Sequence, residues 1–183
     1  MISYNLLAKS VEFYEARGYQ RIEAPWLVTP AISKITKPHH SAEFIVQKDS
    51  EEKIKSFVAS GEQGFLYLIN KGHLPESGTF QTITPCMRND SFDSTHTKYF
   101  LKNELISYGK DRRCYSHLMS DARDFMKSVG GSTITGYGVT EDTADLYYKG
   151  VEVGSYGERT CDFVDWTYGT GLAEPRFSRL LKR

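Results

Sequence analysis

The chain has 183 residues, with 23 basic and 23 acidic side chains and a formal net charge of zero. That length suits one domain, spanning 1–183, with a single sizeable core. The even charge balance argues against a nonspecific nucleic-acid binder, which carries a basic excess. Lys110, Arg112 and Arg113, and again Arg176, Arg179, Lys182 and Arg183, are local basic clusters that read as solvated faces. No run of 18 apolar residues is present, so no membrane partner is expected, and Ser3, Tyr4 and Asn5 interrupt any signal-peptide core. Cys86, Cys114 and Cys161 lie far apart without a C-x-x-C pair, which points to free thiols and a cytoplasmic location.

Leu7, Val11 and Tyr14 fall at helical spacing, so residues 4–17 are expected to form a helix that Gly18 ends. Tyr19 to Val28 reads as a strand stopping near Pro30, and residues 31–43 read as loop. Phe44 to Gln47 fits a short strand. Asp49 and Glu52 form a capping-box pattern for a helix reaching about Ala59. A second short helix is expected from Glu62 to Lys71, where Phe65, Leu66 and Ile69 share a face. Thr79 to Met87 and Lys98 to Tyr108 read as strands around a polar loop at Asn89–Thr95.

The clearest helix is 114–129, whose stripe of Leu118, Ala122, Phe125 and Met126 ends at Gly130-Gly131. Asp145 to Ser155 predicts a hairpin turning at Lys149-Gly150. A strand at 161–167 should lead into a Gly-rich turn, and Pro175 marks the first position of a last helix, Glu174 to Leu181. Helices flanking hairpin-linked strands favour an α+β fold around an antiparallel β-sheet.

Three segments carry a more specific message. Gly18-Tyr19-Gln20-Arg21-Ile22-Glu23-Ala24-Pro25-Trp26-Leu27 follows a long helix. Arg88-Asn89-Asp90 precedes a polar loop and then His96-Thr97-Lys98-Tyr99-Phe100-Leu101-Lys102-Asn103-Glu104. Gly169-Thr170-Gly171-Leu172-Ala173-Glu174-Pro175-Arg176 alternates glycine with other small or apolar residues before an arginine. In that order they resemble motifs 1, 2 and 3 of class II aminoacyl-tRNA synthetases, and the likeness runs from about residue 4 to 182. Phe100-x-Lys102-x-Glu104 looks seryl-like, whereas Arg88-Asn89-Asp90 and Gly157-Glu158-Arg159-Thr160-Cys161-Asp162 look glycyl-like, so the amino acid stays open. Ala173, Thr170 and Pro175 depart from the usual third motif.

The resemblance implies an enzyme that activates an amino acid with ATP to an aminoacyl-adenylate. Arg88 and Arg176 would be its catalytic arginines. ATP would be bound by Arg88, Asp90, His96, Phe100, Glu152, Ser155 and Arg176, with Mg2+ held by Glu152 and Ser155. Ser60, Glu62 and Glu104 would take the amino acid, Ser60-Gly61-Glu62 being the loop that receives its ammonium group. These residue types suit the chemistry. A guanidinium bridges carboxylate and phosphate oxygens in fork geometry as charge builds on the α-phosphorus. Period 2 along a strand puts His96, Phe100 and Glu104 on one face.

The first motif implies a homodimer. The chain reads as a minimal form without an anticodon-binding domain, so the acyl acceptor is either a tRNA acceptor stem or another molecule such as a carrier protein. The alternative is a non-catalytic synthetase paralogue acting as a regulatory or accessory subunit.

Overall fold

The first helix, α1 (Tyr4–Glu15), starts where the Ser3 hydroxyl accepts a bond from the Leu6 N–H. It buries Leu7, Ser10, Val11 and Tyr14, and Gly18 turns the chain away at φ +83°. The computed structural model describes residues 1–36, 44–46, 55–88 and 97–182. The stretch expected as one strand from Tyr19 to Val28 is two. β1 (Gln20–Arg21) and β2 (Leu27–Val28) join different sheets, with Pro25 and Trp26 between them.

Residues 30–36 are helical rather than loop. In α2 (Pro30–Thr36), Ile32 and Ser33 are buried, and the Ser33 carbonyl accepts from Gln63 Nε2 at 3.0 Å. Pro30 opens this helix, a first-turn signal that the periodicity of so short a segment could not reinforce. The helix expected up to Ala59 is also corrected. Lys55–Phe57 forms β4, between β2 and the short β3 (Ile45–Val46), because Ser56 lies fully buried within that small sheet. The Asp49–Glu52 capping box, like the Asn89–Thr95 loop, lies outside the described residues.

The helix α3 (Gly61–Asn70) follows, then two ten-residue strands, β5 (Gly78–Met87) and β6 (Tyr99–Tyr108), in antiparallel register. α4 (Tyr115–Ser128) keeps the stripe read from the sequence. Beyond it β7 (Ile134–Thr140) is an unexpected strand; Gly136 and Gly138 masked its alternation. β8 (Thr143–Tyr148) and β9 (Val151–Cys161) form the hairpin turning at Lys149-Gly150, both with positive φ. β10 (Val164–Glu174) runs straight through the expected Gly-rich turn, and a cis Glu174–Pro175 bond leads into α5 (Arg176–Leu181).

The main sheet has the order β1-β5-β6-β10-β9-β8-β7, antiparallel except for β1 against β5. The fold is thus α+β, a large antiparallel-rich sheet flanked by helices. Alternation sorts its side chains. One face meets α1, α4 and α5 through Tyr14, Leu105, Leu118, Phe125, Tyr156, Leu172 and Phe177. The other meets α2 and α3 through Ile32, Phe65, Leu66, Phe80, Ile106 and Trp166.

On the first face a belt of polar side chains is hydrogen-bonded inward. Gln81 Nε2 donates to the Val11 carbonyl at 3.0 Å, and Asn103 Nδ2 donates to Ser10 Oγ at 3.0 Å and Gln81 Oε1 at 2.9 Å. These bonds fix α1 against the sheet in one register, since buried polar groups without partners cost about 1–3 kcal/mol each.

Glycines in β10 make room for rings from that face. A Cβ at Gly169 would lie 2.7 Å from Tyr156 Cδ1, and one at Gly171 would lie 2.8 Å from Tyr14 Cε2. Gly171→Ala should therefore destabilise the fold by roughly 1–3 kcal/mol. Gly138→Ala, at a position with nothing within 4 Å, should stay within about 0.5 kcal/mol of wild type. Urea midpoints compared at equal m-value check this, and equal midpoints for the two variants would contradict it.

The thiols offer a second check. Cys86 is fully buried, and burial pushes its thiol up to about 12, whereas hydrogen bonds from the Ser116 hydroxyl and His117 N–H lower that of exposed Cys114. A lowered value means more thiolate near neutrality, so iodoacetamide at pH 7.5 should label Cys114 well before Cys86. Peptide mapping that found Cys86 labelled first in folded protein would overturn this ordering.

Candidate active site

Phe100, Lys102 and Glu104 project from β6 on the face that carries Ile106 further along, so the alternation that builds the core also builds the site. Register fixes their neighbours. Thr170 of β10 lies opposite Glu104, Tyr168 opposite Ile106, and Trp166 opposite both Tyr108 and Arg159 of β9. α3 closes the floor. Gly61 is required there, because a Cβ would come within 2.9 Å of Glu104 Cβ and 3.0 Å of Thr84 Oγ1.

Above this floor opens a cavity of about 380 Å³, within the size range of small-molecule sites. Its wall includes Ser60, Glu62, Arg88, Phe100, Glu152, Ser155 and Arg176, seven of the ten residues singled out from the sequence. Glu104 lies fully buried beneath it. Asp90 and His96 lie outside the described residues.

At the outer end, where β6 begins and β10 finishes, the guanidinium of Arg88 stands 5.3 Å from the centroid of the Phe100 ring. Its Nε donates to the Ala59 carbonyl at 2.9 Å, which holds the side chain in place. Arg176 Nη1 donates to the Glu152 carbonyl at 3.1 Å and lies 3.8 Å from Glu152 Oε1. Arg179 joins the same wall. Two arginines thus approach one space beside an aromatic plate, the set of donors that a polyphosphate and a flat base require.

Two details of the third segment differ from expectation. Its glycines face the core on the far side of the sheet, where Tyr156 and Tyr14 occupy the space, so their smallness serves packing rather than the cavity. The start of α5 is closed by a protein carboxylate. Buried Glu174 accepts from Ser178 N–H at 3.0 Å through Oε1 and from Ser3 N–H at 2.9 Å through Oε2. Those donors are already satisfied, and a helix of six residues adds little field of its own. What the segment delivers to the cavity is the Arg176 side chain.

At the inner end Ser60-Gly61-Glu62 is the first turn of α3, with Ser60 as its N-cap, rather than a free loop. The Ser60 hydroxyl donates to Glu104 Oε2 at 2.5 Å, and Lys102 Nζ stands 2.8 Å from Glu104 Oε1. Glu62 is buried and receives three bonds: Arg159 Nη1 to both oxygens, at 2.9 and 2.7 Å, and Trp166 Nε1 to Oε1 at 2.6 Å. Arg159 lies 4.1 Å over the Tyr168 ring. Burial pushes the Glu62 carboxyl above its ordinary value, with Arg159 pulling the other way; that attraction in turn raises Arg159.

Arg159 and Lys102 are the functional candidates that sequence reasoning did not assign. Arg159 is 97 positions from Glu62, and only the β9–β10 register brings it over the floor. Lys102 had a readable signal, since it alternates with Phe100 and Glu104 on the same strand face.

Arg159→Ala would leave Glu62 buried without its cation. The loss should be roughly 2–3 kcal/mol, below the 3–5 kcal/mol of a fully buried pair, because 38% of the Arg159 side chain meets solvent. Its pH dependence has a defined sign. A carboxyl held above its unfolded value contributes stability below that value and loses it as pH rises through the folded one. The deficit of the variant against wild type should therefore be small near pH 4 and grow toward pH 8. Thermal melts across that range measure it, and a deficit that shrank with rising pH would refute the assignment.

No family model matches the chain, and no curated protein matches it by sequence. Solved structures do. A pyrrolysyl-tRNA synthetase from Desulfitobacterium hafniense superposes with a TM-score of 0.75 at 17% identity, covering 98% of this chain and 68% of that one. A cytoplasmic serine-tRNA ligase from Naegleria fowleri, solved with AMP, gives 0.72 at 16% identity, covering 96% and 52%. The chain thus spans about half to two thirds of the length of these two structures. At such identity the likeness speaks to architecture. The large antiparallel-rich sheet flanked by helices has the fold of class II aminoacyl-tRNA synthetase catalytic domains.

Proposed function

We propose that the protein activates an amino acid with ATP, forming an aminoacyl-adenylate and releasing pyrophosphate. The observation that carries this reading is the outer end of the cavity, where Arg88 beside Phe100 and Arg176 beside Glu152 line one space. A substrate carboxylate oxygen attacks the α-phosphorus, and the bond from that phosphorus to the bridging oxygen of pyrophosphate breaks. The carboxylate is already ionised near pH 7, so no protein base is needed. Arg88 neutralises charge developing on the α-phosphate while bridging to the incoming carboxylate. Phe100 carries the purine on its face, and Arg176 holds the terminal phosphates.

Asp90 and His96 take their roles from the sequence resemblance alone: acceptor for the adenine amino group, and contact to the terminal phosphate. Glu152, nearly half exposed in the cavity wall, and Ser155 would hold Mg2+. This ion relies on one or two protein carboxylates and otherwise on phosphate oxygens. When bound, the ion would supply further charge neutralisation on the phosphates.

The acyl group then passes to a tRNA acceptor stem or to another acceptor such as a carrier protein. The same reading makes the protein a cytoplasmic homodimer, joined through the segment around Trp26, which is 55% exposed beside an open groove. Among the described residues no helix is long and apolar enough to cross a membrane.

Amino-acid-dependent ATP–pyrophosphate exchange tests the proposal. Arg88→Ala should lower exchange by roughly 10²–10³-fold, the scale for losing one preorganised donor. Near-wild-type exchange in that variant would remove Arg88 from the chemistry. Silence of the folded wild type with every carboxylate substrate would instead favour the accessory-subunit alternative.

A further inference from the structure

The inner end of the cavity has more hydrogen-bond donors than its own acids use. Glu62 accepts from Arg159 and Trp166 on one oxygen and from Arg159 on the other. Glu104 meets Lys102 on one oxygen and the Ser60 hydroxyl on the other. Among the described residues at this end, buried Glu104 Oε1 makes no hydrogen bond, but the Lys102 ammonium stands 2.8 Å from it, and every other oxygen of the two acids has a donor. An incoming cation would have to displace a protein contact.

Donors, in contrast, remain. Arg159 uses Nη1 for both Glu62 oxygens, and its Nε and Nη2 have no protein partner among the described residues. Lys102 engages a single ionic partner with an ammonium that carries three protons. Both side chains line the cavity, and the Tyr168 ring beneath Arg159 fixes the plane of its guanidinium.

On the adenylation reading above, we infer that the acyl substrate carries a second carboxylate, which Arg159 and Lys102 receive at the inner end of the cavity. A planar guanidinium with two unused donors matches a carboxylate in fork geometry. A neutral side chain would leave those donors desolvated and unpaired, the situation in which a polar site discriminates most strongly. A basic side chain would meet two like charges. The substrate is therefore a short acidic amino acid or the corresponding dicarboxylic acid. The occupied oxygens of Glu104 make the α-amino group the point on which these two sources differ.

ATP–pyrophosphate exchange on the intact wild-type protein decides the matter. The panel holds aspartate, glutamate, succinate and glutarate against asparagine, glutamine, serine, glycine and lysine. Exchange with an acidic member should exceed that with its neutral analogue by roughly 10²-fold or more in kcat/KM. Comparing aspartate with succinate, and glutamate with glutarate, shows whether the α-amino group is needed.

The double variant Glu62→Gln/Arg159→Gln removes both charges of the pair without stranding either. With its melting temperature recorded, it should raise KM for the acid by more than about tenfold, change kcat less, and lose most of the preference over the amide. Wild-type exchange that is fastest with serine, glycine, lysine or an amide would overturn the inference and leave adenylation standing. Silence of the folded protein with the whole panel would overturn the inference, and silence extended to every carboxylate substrate would overturn adenylation as well.

Discussion

A single buried carboxylate, that of Glu62, sets the geometry on which the cavity depends. Removing a charged carboxylate from water costs several kcal/mol unless donors replace the lost hydration. Here the replacements come from two strands at once, Arg159 on β9 and Trp166 on β10. The first turn of α3 must therefore sit within hydrogen-bond reach of the β9–β10 pair. That position brings the helix so close to β5 and β6 that only glycine fits at position 61. Arg159, drawn down to Glu62, lies flat on Tyr168 and becomes part of the cavity wall. Helix placement, the glycine and the wall chemistry all follow from satisfying one acid.

The sheet also acts as a partition. On one face the polar residues are structural: Gln81, Asn103 and Ser10 close on one another and on α1. On the other face Phe100, Lys102 and Glu104 lead up from the core into the cavity. The two sets differ by a single residue step along β6, with Asn103 between Lys102 and Glu104. A one-residue slip in pairing would exchange them, placing charges in the aromatic core and Asn103 in the cavity. The register against β5 and β10 is consequently as much a feature of the site as any side chain within it.

Much of this was legible in the sequence wherever a signal is local and periodic. The stripe of α4, the turn at Lys149-Gly150 and the two long strands either side of the polar loop all appear as read. Seven of the ten residues singled out in ordered segments line one cavity. Most of the failures share a cause, a property that only tertiary packing confers. Pro30–Thr36 is held helical by burial of Ile32 and Ser33 against α3. Lys55–Phe57 is a strand because two neighbours pair with it. The glycines at 169 and 171 look the same in sequence whether they admit a nucleotide or a tyrosine ring, and here they admit rings. Arg159 could not be found from its neighbours, because its partner lies far away in the chain.

The position of β10 has a consequence for how the protein comes to be made. This strand lies between β6 and β9, yet it is translated after both. Until residues 164–174 have left the ribosome, β6 presents an open edge and β9 has no partner on that side. The emerging chain therefore passes through a stage with two separate strand edges exposed, the condition under which sheets pair with the wrong neighbour. Closure of that gap also brings Glu174 to the backbone of Ser3, so it joins an early-made segment to a late one. Arg176 follows immediately, which makes its side of the cavity among the last parts of the site to be assembled during synthesis.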